Sequence, residues 1–382
     1  MDSLTQVVLG ASVAEATLGR KVGNKAMLWG AIAGTIPDLD VITRYLTDPI
    51  SANLMHRGIT HSLFFSLLAA PIFAWCVKRS PGWSLIGFLA FMVFFFLLSN
   101  HSLTAILIIG VVFGGLALPA YRLSSPVPGV TTWDWTKLFF LSLVTHPLLD
   151  AHTDWGTQFF WPFEYRLAYK NIFVADPLYT LPFLMCVLVA MFHRRNYTRR
   201  RRWNNAGLMI SSGYMLLTIV FKGIAYNRFE KELDRQGIAY VEMDTRPTPL
   251  NSILWNAQIE TEKGYVVGYY SLLDSQKEIE FSDEYPKNHY VVDSLGNPYV
   301  LQQLNEFTAG WRMFYHRGDS LIMADLRFGQ LGVNPNESPF VWQYHVFRDP
   351  TGMVRANQQQ GSISRTEMSR GISQLWKRIC GN

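Results

Sequence analysis

Four side chains able to hold a divalent metal ion crowd into Thr145-His-Pro-Leu-Leu-Asp-Ala-His-Thr-Asp-Trp-Gly-Thr157: His146, Asp150, His152 and Asp154. Imidazole nitrogen and carboxylate oxygen in one set suit a hard or borderline ion, with zinc first and manganese or iron behind it. On a helix, four residues turn the chain by about 400°, so His146 and Asp150 stand roughly 40° apart and point to one side. Two earlier stretches have the same character, Pro37-Asp-Leu-Asp40 and His56-Arg-Gly-Ile-Thr-His61. The expected ligands are therefore Asp38, Asp40, His56, His61, His146 and Asp150. His56 and His61 are five apart and cannot share a helical face, so His56 is expected to arrive from the preceding loop. His152 is expected to orient a ligand from behind. Arg57 and Arg166 could hold an anionic substrate through forked hydrogen bonds. A carboxylate left off the metal, Asp40 or Asp154, would serve as general base. Taken singly, each aspartate could merely cap a helix and each histidine bond to backbone.

The elements that must position these residues are apolar. Of the 382 residues, those before about 225 carry their hydrophobic side chains in blocks, and Phe88 to Leu98 and Ala105 to Leu118 contain no charge. Each approaches the ~20 residues that cross a bilayer. Spans are expected at Ser62 to Val77, Trp83 to Leu98, Leu103 to Ala120, Trp135 to Leu149, Leu178 to Phe192 and Ala206 to Phe221. Leu4 to Leu18 is interrupted by Gln6, Ser12 and Glu15 and reads as a helix inside the bundle or along the interface. Ala26 to Ile36 is short and rich in Gly and Ala, suited to close helix contact, and Pro37 ends it.

Loop charge gives these spans a direction. Basic residues at 20–25, 78–79, 122, 137 and 194–202 all fall on one side, expected to be cytoplasmic. The six expected ligands then gather at the opposite, outer leaflet. Charged groups near hydrocarbon are kept when paired, metal-bound or facing water, so the convergence favours one metal site over six unrelated caps.

Composition changes after Phe221. Arg228 to Arg235 is a charged helix, and Arg246-Pro-Thr-Pro249 breaks the chain. Aromatic and β-branched runs follow at Ile253 to Ile259, Tyr265 to Tyr270, Trp311 to Tyr315, Ser320 to Leu326 and Phe340 to Phe347. Leu295-Gly-Asn-Pro298 and Asp349-Pro-Thr-Gly352 separate some of them, so an antiparallel sheet is expected, then an amphipathic helix from Ser364 to Ile379. The fold class is a multi-pass α-helical membrane domain, 1–225, followed by a β-rich α+β extracytoplasmic domain, 226–382.

Other classes recede. The start Met-Asp-Ser-Leu has no basic n-region, so the first membrane segments are expected to do the targeting. Cys76, Cys186 and Cys380 have no close spacing, which argues against a disulfide framework or a cysteine zinc site. A net charge of +5 lies largely in 193–202 between apolar segments and reads as topology, not as nucleic-acid binding. His101, in Ser99-Asn-His101, reads as a polar turn residue, and no repeat is present.

At the ligand motifs the chain resembles a family of bacterial membrane-bound metal-dependent hydrolases known as LexA-regulated inner-membrane hydrolases. The matching stretches are Met1-Asp-Ser-Leu-Thr-Gln6 with Leu9-Gly-Ala11, Thr35 to Asp40, His56 to Ser62, Thr145 to Asp150, Trp155-Gly-Thr157 and Trp161-Pro162. They lie within residues 1–225. The resemblance implies a helical membrane domain with a His/Asp metal site, distantly similar to zinc-dependent phospholipase C and nucleases, and ligand roles for Asp38, Asp40, His56, His61, His146 and Asp150. Many members carry histidine where Gln6 stands here.

The expected function is metal-dependent hydrolysis in the inner membrane, at the outer leaflet, on a phosphoester or lipid-linked substrate. The rival is a metal-stabilised membrane scaffold or sensor whose outer domain binds a partner. A transporter fits less well, because the charges lie at one end of the spans.

Overall fold

Asp2 starts the chain's first helix by accepting a hydrogen bond from the Thr5 amide at 3.1 Å. That helix, α1 (Ser3–Val22), ends at Gly23, whose φ of 64° suits glycine. The computed structural model describes residues 1–99, 126–275, 278–293, 298–350, 354–359 and 365–381, with scattered positions between 104 and 121. Met1–Leu46, Met55–Ala168 and Pro177–Tyr214 form one compact unit; Thr47–Leu54, Tyr169–Asp176 and Met215–Asn382 form a second.

In the first unit, α1 packs inside the bundle against α2 (Asn24–Thr35). Glycine makes the approach: a Cβ on Gly10 would stand 2.2 Å from the Gly30 carbonyl oxygen, and one on Gly34 2.4 Å from that of Gln6. Helix α2 stops at Thr35, and Pro37 begins a 3-10 stretch, Pro37–Tyr45, that carries Asp38 and Asp40. The chain then passes through the second unit's segment Thr47–Leu54, which holds most of a short helix α3 (Pro49–Met55), and after His56 the 3-10 turn Ile59–His61 leads into α4 (Leu63–Arg79). Ser62 caps α4 by accepting from the Phe65 amide at 3.0 Å. After α5 (Pro81–Ser99), α6 (Thr132–Asp150) opens on a capping box of Thr131 and Asp134. Next come α7 (Pro177–Met191) and α8 (Thr198–Gln236).

The helices are dressed for lipid. Phe64, Leu67, Leu68, Ile72 and Trp75 of α4, Trp83 and Phe94 of α5, and Leu181 and Met185 of α7 are exposed, while Gln6, Ser12, Glu15, Ser66, Ser142 and Asn204 are buried. A water-soluble bundle has the reverse pattern. By length and apolarity, α5 and α8 can each cross a membrane among the described residues, and α4 makes a third if it is joined to the segment before it, bent by 60°. Helix α7 has 15 residues and is shorter than a span. Helix α6, expected as a span, buries much of its length within the bundle, including Leu138, Phe139, Leu143, His146 and Asp150. The stretch 103–120, expected as a span, and His101 lie outside the described residues save for scattered positions.

Two further departures have physical causes. The expected span at 206–221 and the charged helix at 228–235 are one continuous 39-residue helix, α8, because no proline or cap separates them. Arg200, counted with the basic loop, is 2% exposed and forms a two-pronged ion pair with Glu15, Nε to Oε1 at 2.6 Å and Nη2 to Oε2 at 2.5 Å. It is an internal tie and carries no topological information.

The second unit is layered. Strands β1 (Glu242–Pro247), β2 (Leu254–Glu260), β3 (Gly264–Ser271) and β4 (Tyr285–Pro286) form one antiparallel sheet in sequence order. Strands β5 (Arg312–Arg317), β6 (Ser320–Gln330), β7 (Phe340–Arg348) and β8 (Val354–Gln359) form another. Ala225, Phe229 and Leu233 of α8 pack on Trp255, Ala257 and Ile259, whereas Leu254, Tyr265 and Val267 meet Met313, Ala324 and Leu326 of the other sheet. The first sheet is therefore buried on both faces, which is why its strands lack strict alternation. Strand β1 passed unnoticed in the sequence because Glu242, Asp244 and Arg246 read as loop.

Candidate metal centre

Three separate elements deliver donor atoms to one point: Asp38 on the 3-10 stretch after α2, His61 on the turn before α4, and His146 with Asp150 one turn apart at the end of α6. One ligand atom from each lies within 4.8 Å of all the others. His61 Nε2 is 3.1 Å from His146 Nε2, 3.4 Å from Asp38 Oδ1 and 3.4 Å from Asp150 Oδ2. His146 Nε2 is 3.4 Å from Asp38 Oδ1 and 3.5 Å from Asp150 Oδ2. A tetrahedral ion bound at about 2.0–2.1 Å has donor-to-donor edges of about 3.3–3.4 Å. The five distances bracket that value.

The tautomers agree with a cation. His146 Nδ1 lies 2.7 Å from the Gly34 carbonyl oxygen, which accepts no bond unless this nitrogen carries the proton. His61 Nδ1 lies 3.3 Å from Asp40 Oδ2, so its proton is held there. Both Nε2 atoms are then turned on each other and on two carboxylates, so the gap between them calls for positive charge, a proton on His61 Nε2 or a metal ion in its place. Asp150 Oδ2 is fully buried and accepts no well-formed hydrogen bond, although Arg57 Nε stands 3.1 Å away. The donor set therefore fits a divalent ion.

Around these four lies a second layer. Asp40, expected as a ligand, stands behind His61: its Oδ1 is 2.8 Å from His56 Nδ1, and its Oδ2 accepts from the Arg57 amide at 2.8 Å and Thr60 Oγ1 at 3.1 Å. His56, also expected as a ligand, is thereby paired with Asp40 and lies outside the four-donor group. Burial alone would raise the pKa of Asp40, but hydrogen bonds from His56 and His61 outweigh it and hold the carboxyl well below the usual range. Asp38 is depressed in the same way, with His146 as the chief opposing partner.

Arg57 is tied to the protein: its Nη1 donates to Thr153 Oγ1 at 2.8 Å and its backbone has φ 57°, in the left-handed region. The amide bond to Asp40, the guanidinium contacts and a bond from the Gln158 amide to its carbonyl at 3.0 Å hold that conformation. Arg166 is half-buried and donates from both Nη atoms to the His56 carbonyl at 3.1 Å. His152 and Asp154 follow α6 in a turn, half-buried and outside the four-donor group. Gly156 (φ 67°) closes that turn, where a Cβ would come 2.4 Å from the Leu167 carbonyl oxygen.

Gln6 was noted in the sequence only as a departure, yet it is buried in the centre. Its Nε2 donates to Asp150 Oδ1 at 2.8 Å and to the His146 carbonyl at 3.3 Å. The Met1 amino nitrogen also lies against Asp150 Oδ1. A lone amide in the apolar face of α1 was the available signal for Gln6; nothing in the sequence marks the Gly34 carbonyl.

A helical unit with an apolar exterior and a largely buried His/Asp cluster that could hold a metal ion defines the class, a membrane protein with a candidate metal centre. Residues 1–100 and 99–228 match the YdjM inner membrane protein family, and the chain belongs to it. Comparison with curated proteins and with solved structures gave no match.

Proposed function

We propose that the chain is a metal-dependent hydrolase of the inner membrane, with Asp38, His61, His146 and Asp150 as ligands and a phosphoester of a membrane-associated molecule as substrate. The observation that carries this reading is a set of four donors, three buried and Asp38 half-buried, in which His61 and His146 stand at tetrahedral edge lengths from each other and from both carboxylates, beside lipid-facing helices. When bound, a divalent ion, zinc foremost, supplies a water of lowered pKa and a positive charge for a phosphoryl oxygen. The chain's own groups set the geometry. Asp40 and Gly34 fix the two imidazoles, and Gln6, Arg57 and Thr153 fix Asp150. The Asp38 side chain is 23% exposed and the other three ligands 0%, so water and substrate approach along the Asp38 edge. Arg57, buried beside Asp150, and Arg166, at the His56 carbonyl, add two positive charges that favour an anionic substrate. Asp40 already accepts from three partners, which leaves Asp154 as the general base.

Loop charge puts the ligands and the β-rich unit outside the cytoplasm. A second reading rests on one observation: four protein donors can fill a tetrahedral shell, as structural zinc sites do. In that case the metal ties the helices together and the β-rich unit binds a partner. X-ray absorption on metal-loaded protein, beside a screen of phosphomonoesters and phosphodiesters, separates the two. A water-derived oxygen in the shell together with chelator-sensitive hydrolysis supports the hydrolase; a closed four-ligand shell with no turnover supports the scaffold.

A further inference from the structure

At the ends of α2, α4 and α6 that lie away from the expected metal ligands, a cavity of about 340 Å³ opens between the start of α2, the end of α4 and the loop Pro126–Val130. Lys25 and Lys78 line it, with Trp29 and Trp135. A neighbouring cavity of about 470 Å³ shares Val127–Val130 and adds Arg20, Lys21 and Arg195. Five cations from four chain segments thus meet at one end of the unit, and neither lining contains a carboxylate among the described residues. Asp134 neutralises Lys21 at 2.9 Å, and Arg195 donates to the Lys21 carbonyl at 2.8 Å. Burial, then the Arg195 guanidinium, pulls the Lys25 ammonium below its usual pKa. Trp29 and Trp135 are 3% and 5% exposed, and no hydrogen bond engages either indole N–H among the described residues.

We propose that the Lys25–Lys78 cavity binds the phosphate of an anionic phospholipid headgroup. The polar side chains of the lining, two ammonium groups and two indole N–H groups, are donors and carry the positive charge, which an anionic acceptor complements. The volume is at the low end of the roughly 300–1,000 Å³ of small-ligand sites, enough for a headgroup. The acyl chains have a place beside it: Trp75 of α4 and Trp83 of α5 flank Lys78 in sequence and are 60% and 74% exposed. A phosphoglycerol head suits the site better than a phosphoethanolamine, whose own ammonium would face the lysines. Basic pockets between membrane helices are known to select such heads on the cytoplasmic side, and these loops are the ones the charge rule assigns there.

The test uses the full chain in nanodiscs of equal phosphatidylglycerol and phosphatidylethanolamine, with bound lipid counted by native mass spectrometry after mild detergent release. Wild type should retain phosphatidylglycerol selectively. The double variant Lys25→Gln/Lys78→Gln should weaken it about 30-fold, roughly fivefold per lysine. Arg201→Gln, an exposed cation lining neither cavity, should leave it unchanged. Trp29→Phe keeps the ring and removes the N–H, so partial loss is expected even if the double variant fails to fold. Equal retention of both lipids by wild type, or full retention by Trp29→Phe and by a folded double variant, overturns the proposal. So does displacement of the lipid by millimolar inorganic phosphate, which would make the cavity a site for free anion.

Discussion

His61 and His146 each present Nε2 to the centre and have their Nδ1 occupied by Asp40 and Gly34. Replacing either by alanine removes one donor from four, and His61→Ala and His146→Ala should each abolish stoichiometric metal in detergent-purified protein. His193→Ala should not, since that ring bonds the Val189 carbonyl at 2.8 Å and belongs to no donor cluster. Asp40→Asn keeps the shape but weakens the hold on His61, so metal affinity should fall about 10–100-fold without loss of fold; a competition titration against a chelator measures it. At this scale the sequence showed a good deal. Residue type and the four-residue spacing were enough to pair His146 with Asp150. They could not separate the four clustered donors from the layer behind them, because Asp38 and Asp40 differ only in which way a 3-10 turn points them. The backbone carbonyl of Gly34 was invisible, since any residue offers one.

Helix contacts set where those side chains stand. Gly34 takes part twice, in the close approach to Gln6 and in the bond to His146. Gly34→Ala puts a methyl where a carbonyl oxygen is 2.4 Å away, so α1 must shift. Overpacking of this kind costs about 1–3 kcal/mol; a lowered melting temperature and weaker metal binding should appear together. Arg200→Leu leaves Glu15 buried without its partner and should cost about 3–5 kcal/mol, read as a loss of thermal stability in detergent. The Gly- and Ala-rich run announced the close helix contact, and short aromatic and β-branched runs announced β2, β3, β5, β6 and β7. The fusion of a span and a charged helix into α8 was hidden because the change in composition looked like an end, although no residue there stops a helix.

For the molecule as a whole, the arrangement of loop charge predicts an outside C-terminus. A reporter that works only in the cytoplasm, fused after residue 382, should stay silent, and strong activity would reverse the orientation. The β-rich unit carries its own acid-sensitive tie: Asp244 is buried against Arg246 and Lys170. Burial would raise its pKa, but the two cations prevail and hold it below the usual value. A depressed carboxylate stabilises above its unfolded pKa of about 3.9 and loses that contribution as pH falls through the folded value. Thermal unfolding of the sheet should therefore move to lower temperature below about pH 4, and Asp244→Asn should remove that part of the slope. The measurement that tests the account most directly is zinc binding by calorimetry to wild type and to His146→Ala in the same detergent. One tightly bound ion per wild-type chain and none in a folded His146→Ala is the predicted result; no binding by wild type, or equal binding by both, would contradict it.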